Sequence, residues 1–202
     1  MDDWKLLEEN LREKGYTVET FPDRCAAAEW IENQIGGRTV GIGGSVTVRE
    51  LGLFEKLSKH NTVYWHEEPP ENMTAMETRQ AASRADIYIA SVNGISLQGE
   101  IVNMDYTGNR VSAISFGPRE VYLIIGRNKL APDLPAALDR VKNVASPLNA
   151  KRLNRKTPCA VRGDRCYHCK SPEKICRNLS ILLERPAGAE YHIILIDEDL
   201  GY

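Results

Sequence analysis

The chain has 202 residues, 42% hydrophobic and 27% charged, which excludes a disordered, collagen-like or coiled-coil protein and sets the expectation of a single domain over 1–202. No apolar run approaches the roughly 20 residues of a membrane helix, and the acidic start Met1-Asp2-Asp3-Trp4 lacks the apolar segment of a secretory signal, so a cytoplasmic protein without a membrane span is expected. The formal net charge of −2 is unevenly spread: −7 over residues 1–125, +9 over 126–185 and −4 over the last 17.

Residues 3–14 read as a helix with Trp4, Leu7 and Leu11 on one stripe and Gly15 as its stop. Tyr16 to Thr20 alternates like a strand. Asp23 is placed to cap a second helix carrying Ala27, Trp30, Ile31 and Ile35, in which Cys25 reads as a small core residue. Arg38 to Ile42 is a predicted strand that runs into Gly43-Gly44-Ser45 and then a helix to about Ser58. Thr62 to Trp65 is a strand, Glu67 to Glu71 a polar loop, and 73–84 a helix. Four short apolar runs follow, Ile87 to Ala90, Glu100 to Asn103, Val111 to Phe116 and Val121 to Ile125, separated by turn signals and all read as strands. Leu134 to Val144 returns to helical period. Leu179 to Glu184 and Tyr191 to Ile196 read as strands, with a loop-rich, cysteine-bearing insertion before them at about 155–178. The expected class is α/β, with a sheet that is parallel in its first half and has antiparallel strands added.

Two constellations point to ligand chemistry. The first is Gly41-Ile42-Gly43-Gly44-Ser45, a strand running through glycines into a helix. Such a turn lets a ligand approach the backbone and meet free N–H groups, and Thr47 with Glu50 fits a capping box. It is neither a Walker motif nor a dinucleotide fingerprint, so no nucleotide cofactor is expected from it. Read as structure alone, the same turn is a tight strand–helix connection. The second constellation runs from Ser91-Val92-Asn93-Gly94 through Gly99-Glu100 to Asp105 and Gly108-Asn109-Arg110, where polar residues sit at the breaks of apolar strands. Asn93, Asp105, Asn109 and Arg110 are the candidate ligand contacts; turn chemistry is the alternative for each of them. The glycine loop and the 91–105 stretch are expected to share one pocket. Lys151, Arg152 and Arg155, in the basic segment, are expected to face a ligand anion or an acidic partner. Without interleaved aromatics the segment lacks a stacking platform for nucleic acid. His60, His66 and His192 have no partner spacing and read as structural residues.

Four of the five cysteines fall in the pattern Cys159-x6-Cys166-x2-Cys169-x6-Cys176. In a cytoplasmic chain such clustering points to metal or redox chemistry, with Zn²⁺ or an iron–sulfur cluster as the candidate occupant and His168 as a substitute ligand. The spacing matches no ferredoxin pattern, which favours a structural site, and a set of reduced thiols is the alternative. Ser171-Pro172-Glu173 reads as a helix start that carries Cys176 towards the Cys166–Cys169 turn.

The blocks GIGGSVTVRELGL (41–53), SVNGISLQGEIVNMDYTGNR (91–110), FGPREVYLIIGRNK (116–129), Asn149-Ala150-Lys151-Arg152-Leu153 and TPCAVRGDRCYHCKSPEKICR (157–177) together resemble the LUD-domain family, lactate-utilisation protein C type. The resemblance implies a NagB/RpiA/CoA-transferase-like α/β fold. It also implies a part in oxidising L-lactate to pyruvate, as a subunit beside iron–sulfur partner proteins, with a small organic acid as ligand. It leaves the oligomeric state open. By likeness to CoA-transferases, Glu100 in its Gly-Glu-apolar setting is the candidate nucleophile of an acyl- or CoA-transfer enzyme. An anion-binding regulatory or scaffold module without catalysis is the remaining reading.

Overall fold

The computed structural model describes residues 3–202; Met1 and Asp2, part of the acidic start, lie outside the described residues. In chain order the elements are α1 (Asp3–Glu13), β1 (Thr17–Phe21), α2 (Arg24–Gln34), β2 (Thr39–Ile42), α3 (Val46–Glu50), α4 (Leu53–Leu57), β3 (Thr62–Trp65) and α5 (Ala75–Ala82). These are followed by β4 (Ile87–Ser91), β5 (Gly94–Ser96), β6 (Ile101–Asp105), α6 (Asn109–Ser115), β7 (Glu120–Gly126), β8 (Leu130–Ala131) and α7 (Leu134–Arg140). The last are α8 (Ser146–Arg152), α9 (Pro158–Arg162), β9 (Asn178–Leu182) and β10 (Glu190–Ile196).

Six strands form a wholly parallel sheet in the order β1-β10-β7-β4-β2-β3. Its central strands are apolar on both faces. Along β4, β7 and β10, Tyr88, Ala90, Leu123, Ile125, Ile193 and Leu195 join one core, which α1 and α6 help to cover. Their neighbours Ile87, Ile89, Tyr122, Ile124, Ile194 and Ile196 join the opposite core, under α2 to α4. Burial on both faces is why these segments are continuous apolar runs rather than alternating ones.

Between β4 and β7 the chain leaves this sheet and builds a second one, ordered β8-β5-β6-β9. There β5 and β6 form an antiparallel hairpin, β6 pairs antiparallel with β9, and β5 pairs parallel with β8. Its outer face packs on α7 through Val102, Ala131, Ala137 and Val141. The expected α/β class, a parallel sheet with added antiparallel strands, is therefore the observed one.

Several local readings are corrected. Residues 111–116 are not a strand; 111–115 belong to α6 and Phe116 is its C-cap, and the buried positions Arg110, Val111, Ala113 and Ile114 include a charged residue that hides the helical stripe. Cys25 is exposed, because Ala27, Ala28 and Ile31 carry the buried face of α2 and Cys25 lies off it. The helix after the glycine loop is two helices, broken at Gly52, whose φ of 63° is left-handed. Ser45 is the N-cap of α3, its hydroxyl accepting from the N–H of Val48. Thr47 and Glu50 hold the C-terminal segment instead: the Thr47 hydroxyl donates to the carbonyl of Leu200, and a Glu50 carboxylate oxygen accepts from the N–H of Gly201. Residues 171–174 make one turn rather than a helix.

A π-helical turn, Val141–Ala145, joins α7 to α8. The N–H of Ser146 reaches the carbonyl of Val141, five residues back. The wider turn suits the Pro147 ring, which in a regular helix would collide with the carbonyl four residues before it.

Candidate functional site

Parallel strands put their C-terminal ends on one edge, and β2, β3 and β4 end side by side there. The polar breaks after them meet β6, α5 and α8 around a cleft of about 330 Å³. Gly44 comes from the turn after β2, His66 and Glu67 from the end of β3, Arg79 from α5, and Asn93 from the turn after β4. Asp105, Asn109 and Arg110 come from the β6–α6 junction, and Asn149, Arg152 and Arg155 from α8 and the residues after it.

Arg110 is the keystone. It is 8% exposed, and its guanidinium donates from Nη1 to the carbonyl of Ser91 (3.2 Å) and Oδ1 of Asn103 (3.1 Å). From Nη2 it donates to Oδ1 of Asn93 (2.8 Å) and the carbonyl of Met104 (2.8 Å), while its Nε lies 3.6 Å from Asp105. One side chain thus ties β4, the β4–β5 turn and β6 together. Its terminal donors are spent on protein acceptors, so Arg110 shapes the cleft and leaves ligand contacts to its neighbours.

Those neighbours are less satisfied. The Nε atoms of Arg79 and Arg155 are buried and without a hydrogen-bond partner. Arg155 lies over the Tyr106 ring, 5.4 Å from its centroid, with Arg177 at 5.0 Å from the same ring. Arg152 is held by Asn149 (3.0 Å) and lies 3.5 Å from Glu67, which also binds Arg49 at 2.7 Å. Burial pushes the His66 imidazole below its ordinary pKa; Arg79 and Arg152 act in the same direction, while Glu67 and Asp105 oppose them. His66 is therefore neutral near pH 7, a donor and an acceptor near Arg79 and Arg152.

A narrower recess of about 50 Å³ adjoins the cleft, sharing Gly44, Asn93, Arg110, Asn149 and Arg152 and adding Ser45 and Lys129. Lys129 is 2% exposed, and its ammonium donates to the carbonyl of Tyr202. Burial, with Arg140 and Arg110 adding repulsion, lowers its pKa to about 7.

The residues singled out from sequence divide accordingly. Gly44, Asn93, Asp105, Asn109 and Arg110 line the cleft and Ser45 the adjoining recess. Gly41 faces α5: a Cβ there would lie 2.2 Å from the carbonyl oxygen of Ala82. At Gly43 a Cβ would lie 2.9 Å from the Tyr88 hydroxyl and 3.3 Å from Cγ of Arg110. Both glycines let neighbouring layers close on β2. Glu100 lies in the tight β5–β6 turn, where it accepts from the Ser96 hydroxyl and its own N–H donates back to that oxygen at 3.0 Å; it does not line the cleft. Arg152 and Arg155 of the basic segment line the cleft and Lys151 does not. Sequence reading missed His66 and Arg79. The signal available for His66 was its place at the end of β3, on the edge where the other breaks lie.

The cysteines form a second feature. Cys159, Cys166, Cys169 and Cys176 all border one cavity of about 120 Å³. Among the described residues, no three His, Cys, Asp or Glu side chains stand close enough to hold one ion, and all five thiols are free.

Comparison with known proteins decides the family. The LUD domain matches residues 4–196. The chain belongs to the LUD-domain family. The family is associated with lactate utilisation. A crystal structure of a DUF162 family protein from Deinococcus radiodurans aligns with a TM-score of 0.56 at 13% identity, covering 96% of each chain, and shares the fold. A ribose 5-phosphate isomerase from Plasmodium falciparum aligns over only 54% of this chain and 52% of its own, at 18% identity and a TM-score of 0.33. No curated protein matches. No helix of the described residues is long and apolar enough to cross a membrane.

Proposed function

We propose that this LUD-domain protein binds a small organic-acid anion in the cleft, and that it serves lactate or related organic-acid oxidation as a subunit beside iron–sulfur partner proteins. The supporting observation is the set of four arginines on the cleft wall, Arg79, Arg110, Arg152 and Arg155, whose positive charge favours a carboxylate there. Four arginines face two carboxylates, Glu67 and Asp105, so the lining attracts an anion. The cleft volume suits a small ligand. Neutral His66 is placed to donate to, or take a proton from, a hydroxyl next to that carboxylate. The hydride acceptor in such an oxidation belongs to the partner subunits in this reading. The placement of Glu100 gives no support to covalent acyl transfer.

Calorimetric titration with L-lactate, pyruvate and inorganic phosphate tests the proposal. Binding of either organic acid, weakened about tenfold or more in Arg155→Gln and again in Arg79→Gln, is expected from the loss of charge-assisted hydrogen bonds. Absence of binding by all three anions, or binding indifferent to both substitutions, overturns the anion-site reading. Selective binding of phosphate alone overturns the organic-acid assignment.

A further inference from the structure

The basic stretch of the chain meets few counter-charges in the folded protein. Residues 142–170 carry eight Lys and Arg against one acid, Asp164, whose carboxylate accepts from the Tyr167 hydroxyl (2.5 Å) and the N–H of Arg165 (2.7 Å). The acidic regions are engaged elsewhere: Glu8 pairs with Arg12, Glu32 with Lys56 and Lys59, Glu120 with Arg38 and Glu198 with Arg24. Among the described residues, the one ion pair made by residues 142–170 is that of Arg152 with Glu67 (3.5 Å). Lys142, Lys151, Lys156, Arg162, Arg165 and Lys170 are all exposed, and the acids of this chain leave them without an ion pair.

The same surface exposes apolar side chains. Val161 on α9 is 76% exposed, and Val144, Leu148 and Leu153 are exposed along the π-helical turn, α8 and the residue after it. The two helices pack on each other through Ala150 and Ala160. A Cβ at Gly163 would lie 3.9 Å from Nζ of Lys151, so the outer residues of α8 and α9 meet in one surface. Apolar residues scattered singly over a surface need no explanation. Valine and leucine set among cations without counter-ions combine the two parts of a protein interface, apolar contact and a charged rim.

We propose that the α8–α9 face is a docking surface for an acidic polypeptide, whose carboxylates pair with Lys151, Arg162 and their basic neighbours while its apolar side chains cover Val161 and Leu148. Charge complementarity selects an anionic occupant. The apolar residues select a polypeptide over nucleic acid, because phosphates make no use of them and no ring is open for stacking. Tyr167 is the only Phe, Tyr or Trp in residues 142–170, and the guanidinium groups of Arg162 and Arg165 lie over it at 4.7 and 5.6 Å from its centroid. The absence of Trp and Phe from residues 142–170 likewise disfavours a lipid surface, where such rings anchor interfacial helices. Lys151, Val161 and Arg162 do not line the cleft, so the inference stands apart from the anion-binding reading.

The test uses the full chain and four probes: a labelled dodecapeptide of Glu-Leu-Glu repeats, the same peptide with Ser for Leu, labelled oligothymidylate, and vesicles of phosphatidylglycerol. The leucine peptide is expected to bind, and the serine peptide about tenfold more weakly through lost apolar burial. Raising the salt from low to physiological ionic strength should weaken the leucine peptide severalfold. The double variant Lys151→Glu/Arg162→Glu should weaken it about tenfold or more, and Val161→Ser about threefold, while Lys5→Glu on the exposed side of α1 leaves it unchanged. If the double variant fails to fold, Lys156→Glu with Val161→Ser decides in its place. Failure of the leucine peptide to bind, equal binding of the leucine and serine peptides, or binding indifferent to the patch substitutions would overturn the proposal. Tighter binding of the oligonucleotide or of the vesicles would replace the polypeptide with that partner. Self-association of the chain that the double variant abolishes would make the occupant a second copy instead.

Discussion

The cleft and the thiol cavity share Met104, Ser146 and Ile175 along their common wall, yet they are built in opposite ways. The cleft sits on the ends of buried parallel strands, and Arg110 locks its floor with hydrogen bonds to four acceptors on β4, its following turn and β6. The thiol cavity sits in loops over a cluster of three buried residues. In the first region the fold's own hydrogen bonds fix the functional side chains on the sheet edge; in the second the thiols border a cavity from loops that rest on few buried contacts.

The sharpest way to break this comparison is to remove one support from each region. Arg110→Ala leaves Asn93, Asn103 and two carbonyls without their donor in a buried setting, and a loss of about 3 kcal/mol or more is expected by denaturant unfolding. Cys176→Ser should change global stability by less than about 1 kcal/mol, because neither main core contains a residue of this segment. Equal losses in the two variants would mean that the cysteine segment is part of the same cooperative unit as the sheet.

A second pair of substitutions separates packing from ligand approach within the glycine loop. Gly41→Ala places a methyl group against the backbone of Ala82, which cannot yield as a flexible side chain would, and about 1–3 kcal/mol of stability should be lost with little change in anion affinity. Gly44→Ala meets the His66 ring at 3.2 Å and Glu67 at 3.5 Å, at the cleft itself. There the expected effect is on affinity, with stability nearly kept. Chemical denaturation and calorimetry on the same two proteins check both halves.

The fold was legible where burial speaks through composition. The runs 87–90, 121–125 and 191–196 are apolar on every residue or nearly so, because both sheet faces are covered, and they read correctly as strands. Residues 111–116 misled because α6 exposes only Ser112 and Ser115 of its seven residues and buries a charged one; a short window with Val111, Ala113, Ile114 and Phe116 apolar carries no signal for the hydrogen bonds that keep Arg110 inside. Cys25 misled for the opposite reason, since a small apolar residue among alanines looks buried whichever face it is on. In the site, Asn93, Asp105 and Arg110 were visible as polar breaks in apolar runs. Arg79 was invisible, because its place depends on how α5 packs beside β2 and β3, and nothing local encodes that. Tertiary order also decides that β10, last in sequence, lies inside the sheet between β1 and β7.

The smallest expected effect is the response of the cleft to pH. In the ligand-free cleft, burial and the nearby Arg79 and Arg152 hold the His66 pKa below its ordinary 6.5, against the opposing pull of Glu67 and Asp105. The unfolded chain therefore takes up this proton first as pH falls, and the ligand-free protein loses stability in the window below 6.5 down to the folded value. A bound carboxylate stabilises the imidazolium and raises that pKa, so anion binding carries proton uptake with it. Affinity for the organic acid is then expected to rise severalfold as pH falls from the ligand-bound to the ligand-free His66 pKa and to level off above and below that range, and His66→Gln should flatten the profile. An anion affinity that is flat between the two ends of the window would show that the bound ligand does not reach His66, and would move the carboxylate towards Arg155 and the outer end of α8.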